Sequence, residues 1–222
     1  YLLGALLFEI ITGTVPHTGR SVEEILSKAK STARPNIPSD VPPSLAAIIT
    51  QALEPKRSDR FSNVTAFRVA VQQYKSDHFL LSQMQLAEQQ IGTLRQWLKE
   101  ERIDRQTGYN FMTLAHEALA ILKTVLRGGV RVQHAKKLVV ENLRIQTEYS
   151  ILAGQFVVAR SLIAKLVEDL GPGTEWINDL AGRIADAQAH QENRDSELRT
   201  QSLAVMFEKM VELQQQAKSS EE

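Results

Sequence analysis

ENLRIQTEYSILAGQFVVARSLIAKLVEDLGPG, residues 141–173, decides how this chain folds. Gly154 interrupts an otherwise helix-compatible run, and Phe156, Ala159, Ile163 and Leu166 follow it at helical spacing. The pattern predicts two helices joined by a tight turn at Gly154, where a residue without a Cβ lets the segments approach closely. Ala159 is small enough for the two helices to touch. The stretch runs into GPGT, residues 171–174, with no Gly-Lys after its glycines. It therefore reads as the stop of one helix and a cap at Thr174 for the next, not as a phosphate loop.

The neighbouring segments carry the same period. RGGV at 127–130 is a break, since each glycine costs a helix about 1 kcal/mol. Before it, Phe111, Leu114, Leu119, Leu122 and Leu126 predict a helix, set off from an earlier one by RQTGYN. In that earlier helix Phe79, Met84, Ile91, Leu94 and Leu98 form a loose stripe. Downstream, Trp176, Leu180 and Ile184 open a long C-terminal helix whose middle, DAQAHQENRDSE, is polar all round. Leu198, Leu203, Met206, Phe207, Met210 and Leu213 then resume an apolar stripe. That stripe is expected either to pack back on the bundle or to pair with another chain as a short coiled coil. No alternating run of four or more stands out, so the fold class is all-α.

Composition narrows the partners. Of 222 residues, 26 are Lys or Arg and 26 are Asp or Glu, so no net charge draws the chain to nucleic acid or to a membrane surface. The most basic stretch, Lys123 to Lys137, lacks the interleaved aromatics of a single-strand binder and reads as a solvated face. No segment reaches the eighteen or so apolar residues of a membrane span. The absence of cysteine excludes disulfides and thiolate metal sites and fits a reducing, cytoplasmic location. The expected partner is a protein substrate or another protein, with no nucleic acid and no membrane.

The first third reads differently. YLLGALLFEIITG, residues 1–13, is apolar around every side of a helix, which predicts burial all round. Gly13 is its stop. Ser21 with Glu24 three residues on matches a capping box for a short second helix. SDVPPSLAAIITQAL supplies a Pro-rich turn and a further apolar helix. EPKRSDRFSN supplies a polar turn ending in Ser62 as the expected cap of the next helix, which carries Val64, Phe67, Val71 and Tyr74.

These residues resemble the C-terminal lobe of protein kinases, most closely the bacterial eukaryotic-like serine/threonine kinases. Tyr1, Leu3, Gly4, Leu7, Phe8, Glu9, Thr12, Gly13 and Pro16 stand where that family's core lobe helix has its motif. Ala52, Leu53, Arg60 and Phe61 match its late motif. Leu2, His17 and Arg57 depart from it. The resemblance covers residues 1–76. It implies a parent kinase that phosphorylates protein Ser or Thr with ATP and Mg²⁺, whose catalytic elements would precede Tyr1, so that this chain looks like a piece of a longer protein and is inactive alone. It also implies structural roles for Glu9 and Arg60, the latter in a buried ion pair with a Glu lying before Tyr1. An exposed Arg60 pairing loosely with Asp59 is the alternative.

The residues themselves offer no chemistry. GxGxxG, His-Arg-Asp and Asp-Phe-Gly are all missing, and the one NRD, Asn193 to Asp195, sits in a polar helical stretch. HEALA at 116–120 has Ala120 where a zinc helix needs its second His. His17, His78, His116, His134 and His190 show no ligand spacing. No catalytic, cofactor-binding or metal residue is assigned.

The 141–173 stretch resembles one tetratricopeptide-type unit, with a degenerate one at about 107–136; an ordinary helical hairpin satisfies the same pattern. The expected organisation is a partial kinase lobe (1–76), a connecting helix (77–105), repeat-like hairpins (106–170) and a long helix (174–219). Gly154 is the structural residue of the hairpin. A helical interaction module or scaffold without enzymatic activity is the alternative function.

Overall fold

The computed structural model describes residues 1–31, 35–100, 105–171 and 175–218, with side chains for all but residue 105 and residues 211–218. Among these residues there are eight α-helices, a short 3₁₀ turn at Arg57–Asp59 and no strand. The chain divides into two units, Tyr1–Ser82 and Gln83–Glu222.

The first unit holds α1 (Leu2–Thr12), α2 (Val22–Lys30), α3 (Pro43–Ala52) and the start of α4 (Val64–Lys99). α1 ends at Gly13, whose φ of 68° is the left-handed stop expected there. α1 packs on α3. Phe8 joins Leu45, Ile49 and Leu53 in one core, with Tyr1 and Ala5 against it. Gly4 permits the approach: a Cβ there would lie 2.5 Å from Ala52 Cβ. Burial all round is not what α1 has. Only Gly4 and Phe8 are buried, while Leu2, Leu6 and Ile10, four residues apart and hence on one face, are exposed.

α2 opens as a capping box. The Glu24 amide donates to Ser21 Oγ at 3.3 Å, and the Glu24 carboxylate accepts from the Arg20 amide at 2.8 Å. α3 starts on Pro43, where a missing N–H costs nothing. The cap of α4 is a correction to the sequence reading. Asn63, not Ser62, fills it, because the helix begins at Val64 and Asn63 Oδ1 takes the Ala66 amide at 2.8 Å.

α4 continues without a break through residue 77, the expected start of the connecting helix, since no Gly or Pro lies between Val64 and Ile91. Its buried line is Leu80, Met84, Ala87, Ile91 and Leu94, and Phe79 is exposed.

The second unit also contains α5 (Arg105–Gly128), α6 (Val132–Leu152), α7 (Phe156–Leu170) and α8 (Glu175–Lys218). α6 packs on α5, on α7 and on α8, and α7 packs on α8. The buried line of α5 is Phe111, Ala115, Ala118, Leu122 and Val125. Alanine takes two of the seats that a stripe of large residues would assign to leucine. The α5–α6 turn falls at Gly129, with φ of 75°, and Arg131, with φ of 45°. Residues 107–128 are thus one helix, and the hairpin is made of α5 and α6.

The α5–α6 contact is partly polar. Asn142 Nδ2 donates to the Ala115 carbonyl at 3.2 Å, and Gln146 donates to Asn142 Oδ1. Both amides are fully buried. One helical turn on, Phe111 and Tyr149 stack at 4.0 Å.

The α6–α7 turn follows the expectation for Gly154. The Gly154 amide donates to the Ile151 carbonyl at 3.1 Å and the Gln155 amide to the Ser150 carbonyl at 2.8 Å. This pair of bonds, with Gly154 at φ 69°, is the Schellman closure of a helix. Ala159 is fully buried, packed with Ile151, Leu180 and Ile184. A second cluster of Leu143, Leu162, Leu166 and Ile177 joins the same three helices. From Gln191 to Met210, α8 is exposed on every side, including Leu203, Met206 and Phe207. The Thr174 cap and the burial of Leu213 lie outside the described residues.

Candidate functional site

An open groove of about 680 Å³ runs along α6 in the second unit. Gln133, Lys136, Lys137, Val140, Glu141, Arg144, Ile145 and Glu148 line it at spacings of three and four, which is one face of a helix. α4 contributes Arg95 and Leu98, Leu170 comes from the end of α7, and Trp176 from the start of α8. The floor is apolar, made of Val140, Ile145, Leu98 and Trp176, and the rim is charged.

The rim charges are ordered. Arg95 pairs with Glu141 across α4 and α6. Arg144 pairs with Glu148 at 3.0 Å, and its guanidinium lies 5.3 Å from the Trp176 ring centroid. A cation over an aromatic ring at an exposed site is worth about 0.5–1 kcal/mol. Near the first turns of α6, His134 approaches Glu88 of α4 at 3.3 Å. Lys136 and Lys137 are exposed and form no ion pair among the described residues.

The residues singled out from sequence do not gather here. Glu9 is exposed on α1. Gly154 closes α6 away from the groove lining. Arg60 is half-buried in the first unit, where Nε donates to the Glu54 carbonyl at 2.5 Å and Nη2 to the Pro55 carbonyl at 2.9 Å. Its guanidinium also sits 4.8 Å from the Tyr1 ring centroid. Asp59 instead accepts from Ser58 Oγ at 2.9 Å. Burial raises the Tyr1 phenol above its ordinary pKa, against a smaller opposite pull from Arg60. An open hollow of about 1230 Å³ beside this contact is lined by Tyr1, Arg57, Arg60, Phe61 and Phe67.

Sequence reading missed the groove. Arg95, Glu141 and Trp176 lie far apart in the chain, and Trp176 read simply as part of a core stripe. The one available signal was the basic Lys136–Lys137 pair beside Val140 on the same helix.

Among the described residues no group of three or more His, Asp or Glu is placed to hold a metal ion. None of the described helices is long and apolar enough to cross a membrane. What the described residues define is an all-α fold whose second unit packs α5, α6, α7 and α8 each on the next. No protein-family model, no curated protein and no solved structure matches the chain.

Proposed function

We propose that this chain is a helical interaction module, a cytoplasmic scaffold without enzymatic activity, that holds a partner protein along α6. The observation that carries this reading is the groove itself: an apolar floor with an aromatic anchor, ringed by arginines already fixed by Glu141, Glu148 and Trp176. Aromatic and arginine anchors at a desolvated centre with a polar rim are the usual anatomy of a protein interface. The test is site-specific photo-crosslinking in the cell of origin, with the crosslinker at Lys137 or Glu141, and at Arg199 on exposed α8 as control. A discrete adduct from the groove positions alone is expected. Equal labelling from Arg199 would refute the reading.

A second reading is favoured by one observation in the first unit. The residues of the two motifs that resemble a kinase lobe meet in space: Gly4 against Ala52, Phe8 with Leu53, Tyr1 over Arg60. On this reading the first unit is a kinase-lobe scaffold and the chemistry, with ATP and Mg²⁺, belongs to a parent serine/threonine kinase. The donors present here do not fit that cofactor, since the sequence has no Gly-rich phosphate loop and the described residues offer no acidic metal cluster. Calorimetric titration of the 222 residues with MgATP is expected to give no saturable heat, and micromolar binding would overturn it.

A further inference from the structure

We infer that the occupant of the α6 groove is an amphipathic helix that carries carboxylates where it meets Lys136 and Lys137. The inference rests on the interaction reading above and adds the chemistry of the partner. Groove-lining residues run from Gln133 to Glu148 on a single helix, a span of roughly 22 Å at 1.5 Å per residue. That is the length of about four helical turns. An extended peptide would need a backbone edge to pair with, and α6 has none to give, its amides being used within the helix.

The charge pattern selects the flanks of that helix. Of the four cations at the groove, Arg95 and Arg144 are answered by Glu141 and Glu148. Lys136 and Lys137, one turn into α6, have no ion-pair partner among the described residues. The complement is a helix with apolar residues at i, i+3 or i+4, and i+7 over Val140, Ile145 and Trp176, and with Asp or Glu at the end lying over the two lysines. A lysine-flanked helix would set like charges together there. A polyanion such as single-stranded nucleic acid is disfavoured, because Glu141 and Glu148 stand in the same groove and Trp176 is already stacked by Arg144.

The experiment uses the full chain and fluorescence anisotropy with labelled 16-residue peptides. One carries a leucine stripe with glutamates at one end. A second carries the same stripe with lysines, and a third is the acidic peptide scrambled to destroy the stripe. Labelled oligo-dT is the nucleic-acid arm. The acidic stripe peptide is expected to bind about tenfold or more tightly than the others. Lys136→Glu with Lys137→Glu should reverse the preference between the two stripe peptides. Both lysines are exposed, so the fold is expected to persist, with a urea melt as check. Trp176→Ala, or Leu170→Ala as the gentler change, should weaken both stripe peptides. Equal binding of the acidic and basic stripe peptides, or preference for the basic one, with loss in Trp176→Ala would overturn the charge inference and leave the interaction groove standing. Preference for oligo-dT overturns the inference as well. Binding of none of the peptides would remove both readings.

Discussion

Gly154→Ala isolates a backbone effect at the joint between α6 and α7. The residue sits at φ 69°, where an L-side chain crowds its own carbonyl at a cost of about 1–2 kcal/mol. Alanine also narrows the unfolded ensemble, which returns about 0.4–1 kcal/mol. The net expectation is destabilisation of the second unit by about 1 kcal/mol. Space is not the cause. An added Cβ would lie 3.0 Å from Gln191 Oε1, the far end of an exposed, flexible side chain that can swing away. Gly154→Asn should therefore lose about half as much, since asparagine tolerates the left-handed region better. Gln191→Ala should give Gly154→Ala no relief. The assay is urea unfolding followed by tryptophan fluorescence, because Trp97 and Trp176 both belong to this unit. A wild-type melt for Gly154→Ala would show that the turn is not held as described, and rescue by Gln191→Ala would replace the backbone argument with a clash.

Three further outcomes are expected. Ala159→Leu forces a larger side chain among Ile151, Leu180 and Ile184 and should cost about 1–3 kcal/mol in the same urea assay; a neutral result would place residue 159 outside the core. Leu6→Lys with Ile10→Lys should lower dye binding by exposed apolar surface and raise solubility with little change in melting, because both side chains face solvent; a large loss of stability would mean that this face is covered. Hydrogen bonding from Lys28, then from the Arg20 amide, holds the Glu24 carboxyl below its ordinary pKa. Its support for the start of α2 is thus present above the unfolded glutamate value and fades as pH falls through the depressed one. A carboxyl NMR titration should show the Glu24 midpoint rise in Lys28→Ala, and an unmoved midpoint would discount the contact.

Local signals carried the sequence reading as far as local physics reaches. Gly13, Gly154 and the Ser21–Glu24 box act within one turn of the backbone, and each lies where its chemistry puts it. Periodicity finds the helices but ranks their faces by size, which favours Leu114 and Leu119 for the core of α5, whereas Ala115 and Ala118 are the buried residues. In a seam between close helices the small residues take the centre and the large ones the flanks. α1, apolar throughout, reads as covered on every side, yet among the described residues only the face bearing Gly4 and Phe8 finds a partner. The groove lay beyond reach for a different reason. Its Arg95–Glu141 pair joins residues 46 positions apart, and nothing in the spacing of Arg95, Glu141 and Trp176 announces that they converge.

Packing in the second unit passes from each helix to the next: α5 on α6, α6 on α7, α7 on α8, with α8 also returning to α6. The loops to be closed are therefore short, which favours rapid folding and allows it to follow the order of synthesis. The α6–α7 hairpin can form while α8 is still in the ribosome, but its Ile151 and Leu162 faces stay open until Ile177, Leu180 and Ile184 arrive. A chain that has emerged from the ribosome as far as Leu170 but not yet to Ile184 would be a sticky half-product, so the window over which a chaperone would be needed spans the emergence of little more than a dozen residues.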